Sequence, residues 1–230
     1  MIPLKDDNPT TIRPIVTLSL IGACVLVFLW QRSLGQEGGQ DAVYALGFIP
    51  AVLFGSADLP AQLTWVPAPV TVFTSMFLHG GMLHLAGNML YLWIFADNVE
   101  DSMGHGRFIV FYAVCGLAAA IAQAAPEIGS TIPMIGASGA VSGVLGAYVL
   151  LYPHARVLVV VPLVVILYTM RLPAIVVLGF WFAIQLISSL AAPAGGGGIA
   201  FRAHLGGFLA GLLLIRLFAT RPSTRNRARW

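Results

Sequence analysis

Six apolar runs dominate the chain, at residues 14–30, 82–101, 108–125, 138–152, 172–190 and 203–219, and the first, third, fourth and fifth hold no charged side chain. A helix satisfies every backbone N–H and C=O within itself, so runs of about 17–25 apolar residues can cross a ~30 Å hydrocarbon layer. Few other architectures accept so many of them. Only 9% of the residues are charged, against about 25% in a soluble domain, so most of the surface faces something other than water. No polar stretch approaches the ~50 residues that a separate soluble domain needs. The expected class is an all-α integral membrane protein with six transmembrane helices.

The stretches between the runs refine that expectation. The first run lacks the small-residue cleavage site of a signal peptide and reads as a retained span. Residues 31–78 are broken by Pro50, Pro60, Pro67 and Pro69 yet keep Phe48, Ile49, Phe54 and Trp65. This make-up suits a long loop between helices 1 and 2, partly embedded in the membrane interface. Residues 156–171 hold a valine-rich run around Pro162. The run is too short to cross and reads as a membrane-surface segment, with helix and strand both open. The fourth span is also short, at ~22 Å for ~15 residues, which puts one of its ends below the surface.

Charge placement tests the count. With the N-terminus inside, six spans put Lys5, Arg13, Arg107, Arg156, Arg171, Arg216, Arg221, Arg225, Arg227 and Arg229 in the cytoplasm and only Arg32 and Arg202 outside. Positive residues favour the cytoplasmic side, and a seventh span would turn the arginine tail outward. Residues 1–13 and 220–230 are therefore expected as short cytoplasmic tails flanking a membrane domain at 14–219. The basic tail needs no nucleic-acid partner to explain it. Cys24 and Cys115 lie inside apolar runs and read as small packing residues.

Polar side chains within spans are costly and mark function. His84 and Asn88 stand four apart on one face of the second span, with Tyr91 and Phe95 continuing it. No HExxH pattern or nearby carboxylate accompanies His79 and His84, so no metal site is expected. Ser138 opens the fourth span beside Gly136 and Gly139, and a small-residue strip continues through Gly143 and Gly146. The sixth span carries His204 beside a strip of Ala203, Gly207 and Gly211. Either strip alone is an ordinary helix contact. Together they let spans four and six, which run in the same direction, bring Ser138 and His204 to one depth at one end. A hydroxyl beside an imidazole is an activated nucleophile, and His84 and Asn88 start at the same side as donors to a developing oxyanion.

With these motifs in order, the chain resembles the rhomboid intramembrane serine proteases over residues 14–219. The carriers are His84-x-x-x-Asn88, Gly136-Ala137-Ser138-Gly139 and Ala203-His204-x-x-Gly207-x-x-x-Gly211. The resemblance implies a six-helix rhomboid-like bundle in which Ser138 is nucleophile and His204 general base, with no third carboxylate. It implies an oxyanion hole from the Ser138 N–H, His84 and Asn88, and no cofactor. His79 and Val99-Glu100 match family positions taken as structural, with Glu100 expected to pair with Arg107 or cap the following helix. The Trp-Arg pair that some members carry in the first loop is absent, and Ser142 stands where some have a tyrosine stacked on the histidine. Implied partners are single-pass transmembrane substrates and membrane lipid. The implied location is a prokaryotic cytoplasmic membrane, both termini inside and the site opening outward. The alternative is an inactive relative that binds membrane clients, whose mark would be loss of the serine or histidine. A transporter would show inverted repeats, and none is visible. At Gly143 and Gly207 nothing larger than a methyl is expected to fit, and bulk at Gly211 is expected to cost less activity but comparable thermal stability.

Overall fold

The computed structural model describes residues 1–163, 166–191 and 199–220. Helices α1 (Ile15–Ser33), α2 (Gly35–Leu46), α3 (Pro50–Leu53), α4 (Ala68–Thr74), α5 (Met82–Tyr91), α6 (Asp97–Met103), α7 (His105–Ala124), α8 (Ser138–Leu151), α9 (Ala174–Ala191) and α10 (Phe201–Phe218) are joined by strands β1 (Ile2–Asp6), β2 (Arg156–Leu163) and β3 (Ile166–Pro173). A π-helical segment, Leu92–Ala96, runs α5 into α6 without a break. Helices α1, α7, α9 and α10 are each long and apolar enough to cross a membrane. The α5–α6 run and α8 occupy the remaining two apolar stretches. This is a multi-pass integral membrane protein, and Leu26, Ile187, Leu213 and Leu217 face outward from the bundle.

Helix α8 is the axis of the bundle, buried from Gly139 to Tyr148. Its 14 residues rise only about 21 Å. Helices α7 and α10 pack against it. A Cβ on Gly207 would stand 2.0 Å from the Gly139 carbonyl oxygen, and one on Gly211 would stand 1.9 Å from that of Gly143. Both contacts advance together along the chain, so α8 and α10 run parallel and their N-termini meet at one end. On the other side a Cβ on Gly139 would meet Ala119 at 2.6 Å and one on Gly143 would meet Cys115 at 2.4 Å. Gly139 and Gly143 of α8 thus admit α7 and Gly146 admits α10, while on α10 Gly207 and Gly211 admit α8 and Gly206 admits α7. Room for a methyl at Gly143 and Gly207, expected from sequence, does not exist, and Gly211 is no looser.

A small sheet joins the helices. Strand β1 pairs antiparallel with β2 through a bulge between Pro3 and Lys5, and β2 pairs antiparallel with β3 from Arg156↔Pro173 to Leu163↔Ile166. The stretch 156–171, whose conformation the sequence left open, is therefore extended over its described residues, as two paired antiparallel strands. Val157 and Val159 are buried in the core while Arg156, Leu158 and Val160 are more exposed, the period-2 burial of a strand. Pro162 falls past Val160, the last residue β1 reaches, near the tip where strands tolerate proline. The sheet is an addition to the all-α expectation. It also engages residues 2–6, which belong to the segment read from sequence as a short tail.

Glu100 explains how that N-terminal segment is held, and it does neither thing expected of it. It is fully buried and accepts hydrogen bonds from the backbone N–H groups of Val16 (3.0 Å) and Thr17 (2.8 Å), from the Thr17 hydroxyl (2.7 Å) and from His105 Nδ1 (2.6 Å). It therefore caps α1, whose first N–H groups have no intrahelical acceptor, rather than α7 or Arg107. Next to it, Asp101 accepts from the Thr11 N–H and hydroxyl, and Asn98 bonds Asn8. In Glu100→Gln, whichever way the amide turns, its NH2 faces either the Val16 or the Thr17 N–H. An N–H left without an acceptor costs on the order of 1–3 kcal/mol. A lowered thermal midpoint in detergent is the expected result, and an unchanged midpoint would refute this capping role.

The long loop bears on the site through two contacts. Phe48 bridges Met134, and the Gly136 N–H donates to the Ser75 carbonyl at 2.9 Å. Both pin the segment that leads into α8. Phe54, Trp65 and Phe73 of this loop are exposed.

Candidate active site

Ser138 is the first residue of α8, and the chain arrives there through Gly136 at φ +117°, a conformation that favours glycine. A Cβ on Gly136 would stand 2.7 Å from His84 Nε2 and 3.8 Å from Ser138 Oγ. The backbone here is bare because the imidazole of His84 lies directly against it, with the serine hydroxyl close by.

His204 sits one turn into α10, and its Nε2 lies 2.8 Å from Ser138 Oγ. Its other nitrogen, Nδ1, lies 2.7 Å from Gln185 Oε1 on α9. A carbonyl oxygen can only accept, so Nδ1 carries the ring proton and Nε2 presents a lone pair to the Ser138 hydroxyl. The Trp181 ring lies 5.9 Å from the His204 ring at 35°, and Phe201 meets it edge-on at 6.4 Å. His204 is 9% exposed, so the ring has little freedom to swing.

His84 is fixed by the same reasoning. The Gly80 N–H donates to His84 Nδ1 at 3.3 Å, so Nε2 carries the proton and is a donor facing the Gly136–Ser138 segment. Asn88 is buried and spends one amide hydrogen on the His84 carbonyl at 3.1 Å. Its second has no acceptor among the described residues. His79 packs edge-on against His84, with ring centroids 5.1 Å apart, and its Nδ1 donates to the Phe77 carbonyl at 3.2 Å. Burial first, then the neighbouring His84, lowers the His79 pKa to about 4. A neutral His79 thus buttresses His84, the structural part expected of it.

The structure therefore gathers Ser138, His204, Gly136 and His84 at one end of the bundle, and Gly139, Gly143, Gly207 and Gly211 hold the helices that carry them. Asn88 is on the same helix, one turn below His84. Ser142 does not replace the stacking tyrosine of some rhomboids, because its hydroxyl turns back to the Ser138 carbonyl at 2.6 Å. Support for the ring comes instead from α9, through Trp181 and Gln185, which the sequence reading passed over. A signal was there. Gln185 is the only amide in the run 172–190, and a polar group inside a span needs a partner.

The fold is thus a bundle of apolar membrane helices in which a serine and a histidine are hydrogen-bonded where two parallel helices begin. The family model for the Rhomboid domain matches residues 67–221. The chain belongs to the rhomboid family. It is 30% identical over 194 residues to Rhomboid protein 1, mitochondrial, of Saccharomyces cerevisiae, an alignment covering 76% of this chain and 52% of that protein. It is 32% identical over 203 residues to Rhomboid protease GluP of Bacillus subtilis, covering 86% of this chain and 34% of that protein. The chain thus spans about half and about a third of the length of these two relatives.

Proposed function

We propose that this chain is an intramembrane serine endopeptidase that uses a Ser138–His204 dyad to cut peptide bonds in or beside transmembrane helices of membrane-protein substrates. The observation that carries the reading is the pair of short contacts on His204, 2.8 Å to Ser138 Oγ and 2.7 Å to Gln185 Oε1. They leave Nε2 as the base. In the first step Oγ bonds to the scissile carbonyl carbon while its proton passes to Nε2. Negative charge gathers on the former carbonyl oxygen, within reach of the His84 Nε2–H, the free amide hydrogen of Asn88 and the Ser138 N–H at the start of α8. The imidazolium then gives its proton to the departing amine and the C–N bond breaks. Water, deprotonated by the same nitrogen, releases the acyl group and restores the hydroxyl. No step needs a metal or cofactor.

A helical peptide bond is shielded by its own ladder, so the substrate unwinds before attack. The reading extends to single-pass substrates, to a membrane domain of residues 14–219 and to both termini in the cytoplasm, with the N-terminal ends of α8 and α10 opening to the outer side. The ten-to-two split of basic residues supports that orientation. The deciding experiment is cleavage of a generic transmembrane substrate by the purified protein in detergent, with labelling of Ser138 by a fluorophosphonate. Neither cleavage nor labelling under any lipid condition would favour the client-binding alternative.

Asn88→Ala should slow turnover without touching the nucleophile. Loss of one oxyanion donor costs about 10²–10³ in rate. Fluorophosphonate labelling should persist while kcat falls, and an unchanged kcat would reduce Asn88 to a packing amide.

A further inference from the structure

Helix α9 holds the least expected part of the site. Its buried residues are Ala174, Val177 and Leu178 near one end and Gln185 further along, while Phe180, Ile184, Leu186 and Ile187 face outward. At 8% exposure Gln185 is a buried carboxamide on an otherwise apolar stretch of helix. Trp181 lies one turn before it on the same face, so α9 presents a hydrogen-bond acceptor and a flat ring to one imidazole. Leaving a buried amide without its partner is costly, so the contact is specific rather than incidental.

We infer that Gln185 is the positioning residue of the Ser138–His204 pair: its side-chain carbonyl holds His204 in the tautomer and orientation that direct the Nε2 lone pair at Ser138 Oγ. This rests on the protease reading and adds a third group to what the sequence presents as a dyad. Gln185 does not touch the reacting atoms. It acts through His204, as an outer carboxylate or carbonyl does when it fixes the tautomer of a working imidazole. A carboxamide does so without placing a charge in the apolar bundle, where a buried carboxylate carries a large desolvation cost. When the imidazole takes the serine proton, the same carbonyl accepts from the more acidic Nδ1–H of the cation. Its hydrogen bond then strengthens as positive charge builds. Among the described residues the groups facing His204 are Ser138 from α8, Gln185 and Trp181 from α9, Phe201 from its own helix, and one titratable neighbour, His84 from α5.

The test compares Gln185→Met, which keeps length and removes the acceptor, with Gln185→Glu, which keeps an acceptor oxygen in either protonation state. In Gln185→Met, kcat should fall about 10–100-fold, the range typical of lost outer-shell acceptors. KM should hold, the thermal midpoint should fall modestly because the buried Nδ1–H has lost its acceptor, and the acid limb of the kcat/KM profile should move to lower pH because the imidazolium has lost that acceptor too. Gln185→Glu should recover kcat to within a few-fold. If the Met variant does not fold, Gln185→Asn, polar but one methylene short of Nδ1, should show the same kcat loss. A folded Gln185→Met or Gln185→Asn with wild-type kcat and pH profile would overturn the assignment while leaving the protease reading standing. A folded Gln185→Glu as slow as the Met variant would overturn it too. A wild-type protein that neither cleaves nor labels at Ser138 would remove both readings.

Discussion

Ser138→Ala is expected to reduce hydrolysis of a transmembrane substrate by on the order of 10⁶-fold, to background, and His204→Ala to do nearly the same. The reason is that the two side chains form one functional unit. Without Oγ there is no atom to bond to the carbonyl carbon. Without Nε2 at 2.8 Å there is no base in place to take the hydroxyl proton. The double variant should be no worse than either single one, since each loss already removes the whole unit. Both variants should fold, because Ser138 is only partly buried and His204 contributes no glycine-type contact to the α8–α10 seam. The measurement is cleavage by detergent-purified protein beside its thermal midpoint. Substantial cleavage by a folded Ser138→Ala protein would remove the nucleophile assignment.

The second large effect is at the seam itself. Gly207→Val and Gly211→Val each force a β-branched side chain to where a first carbon would already stand 2.0 Å and 1.9 Å from backbone oxygens of α8. Backbone cannot rotate away as a side chain can, so α10 must move. A shift of ~1 Å at a reacting pair costs ~10²-fold in rate, and overpacking costs about 1–3 kcal/mol or more of stability. At Gly207, beside the pair, activity should fall at least 10²-fold along with the midpoint. At Gly211 the midpoint should fall at least as far, because its contact is the tighter one. Gly179→Ala on α9, where a Cβ would meet nothing within 4 Å, is the matched control and should change neither quantity. Wild-type activity in Gly207→Val would mean that α8 and α10 do not meet as described.

The value of the glycine strips as evidence shows what a sequence can and cannot carry. Spacing of four marked Gly207 and Gly211 as a contact face, and the shared direction of two spans put Ser138 and His204 at one depth. Both inferences follow from helix periodicity, which is local. The room at each glycine is not local, since it depends on which atom of which neighbour faces the missing side chain. For Gly139 and Gly143 the nearest neighbours are Ala119 and Cys115, which lie on α7 rather than on α10. The same limit applies to Glu100. Its burial in a span announced a partner, but the partner proved to be the first turn of α1, more than eighty residues away.

By itself the sequence determined the class of molecule, the positions of the spanning helices to within a few residues, and the serine, histidine and asparagine motifs. Apolar length, helical period and the cost of polar groups in lipid are all written in consecutive residues. Only the tertiary structure decided that residues 2–6 pair with β2, that Glu100 caps α1, and that His204 rests on Gln185 and Trp181. Each of these joins elements distant in sequence through groups whose local context is unremarked: a few extended residues, one carboxylate, one amide. A buried polar group must find a partner, but which partner it finds is set by how the helices pack, and only the folded chain contains that information.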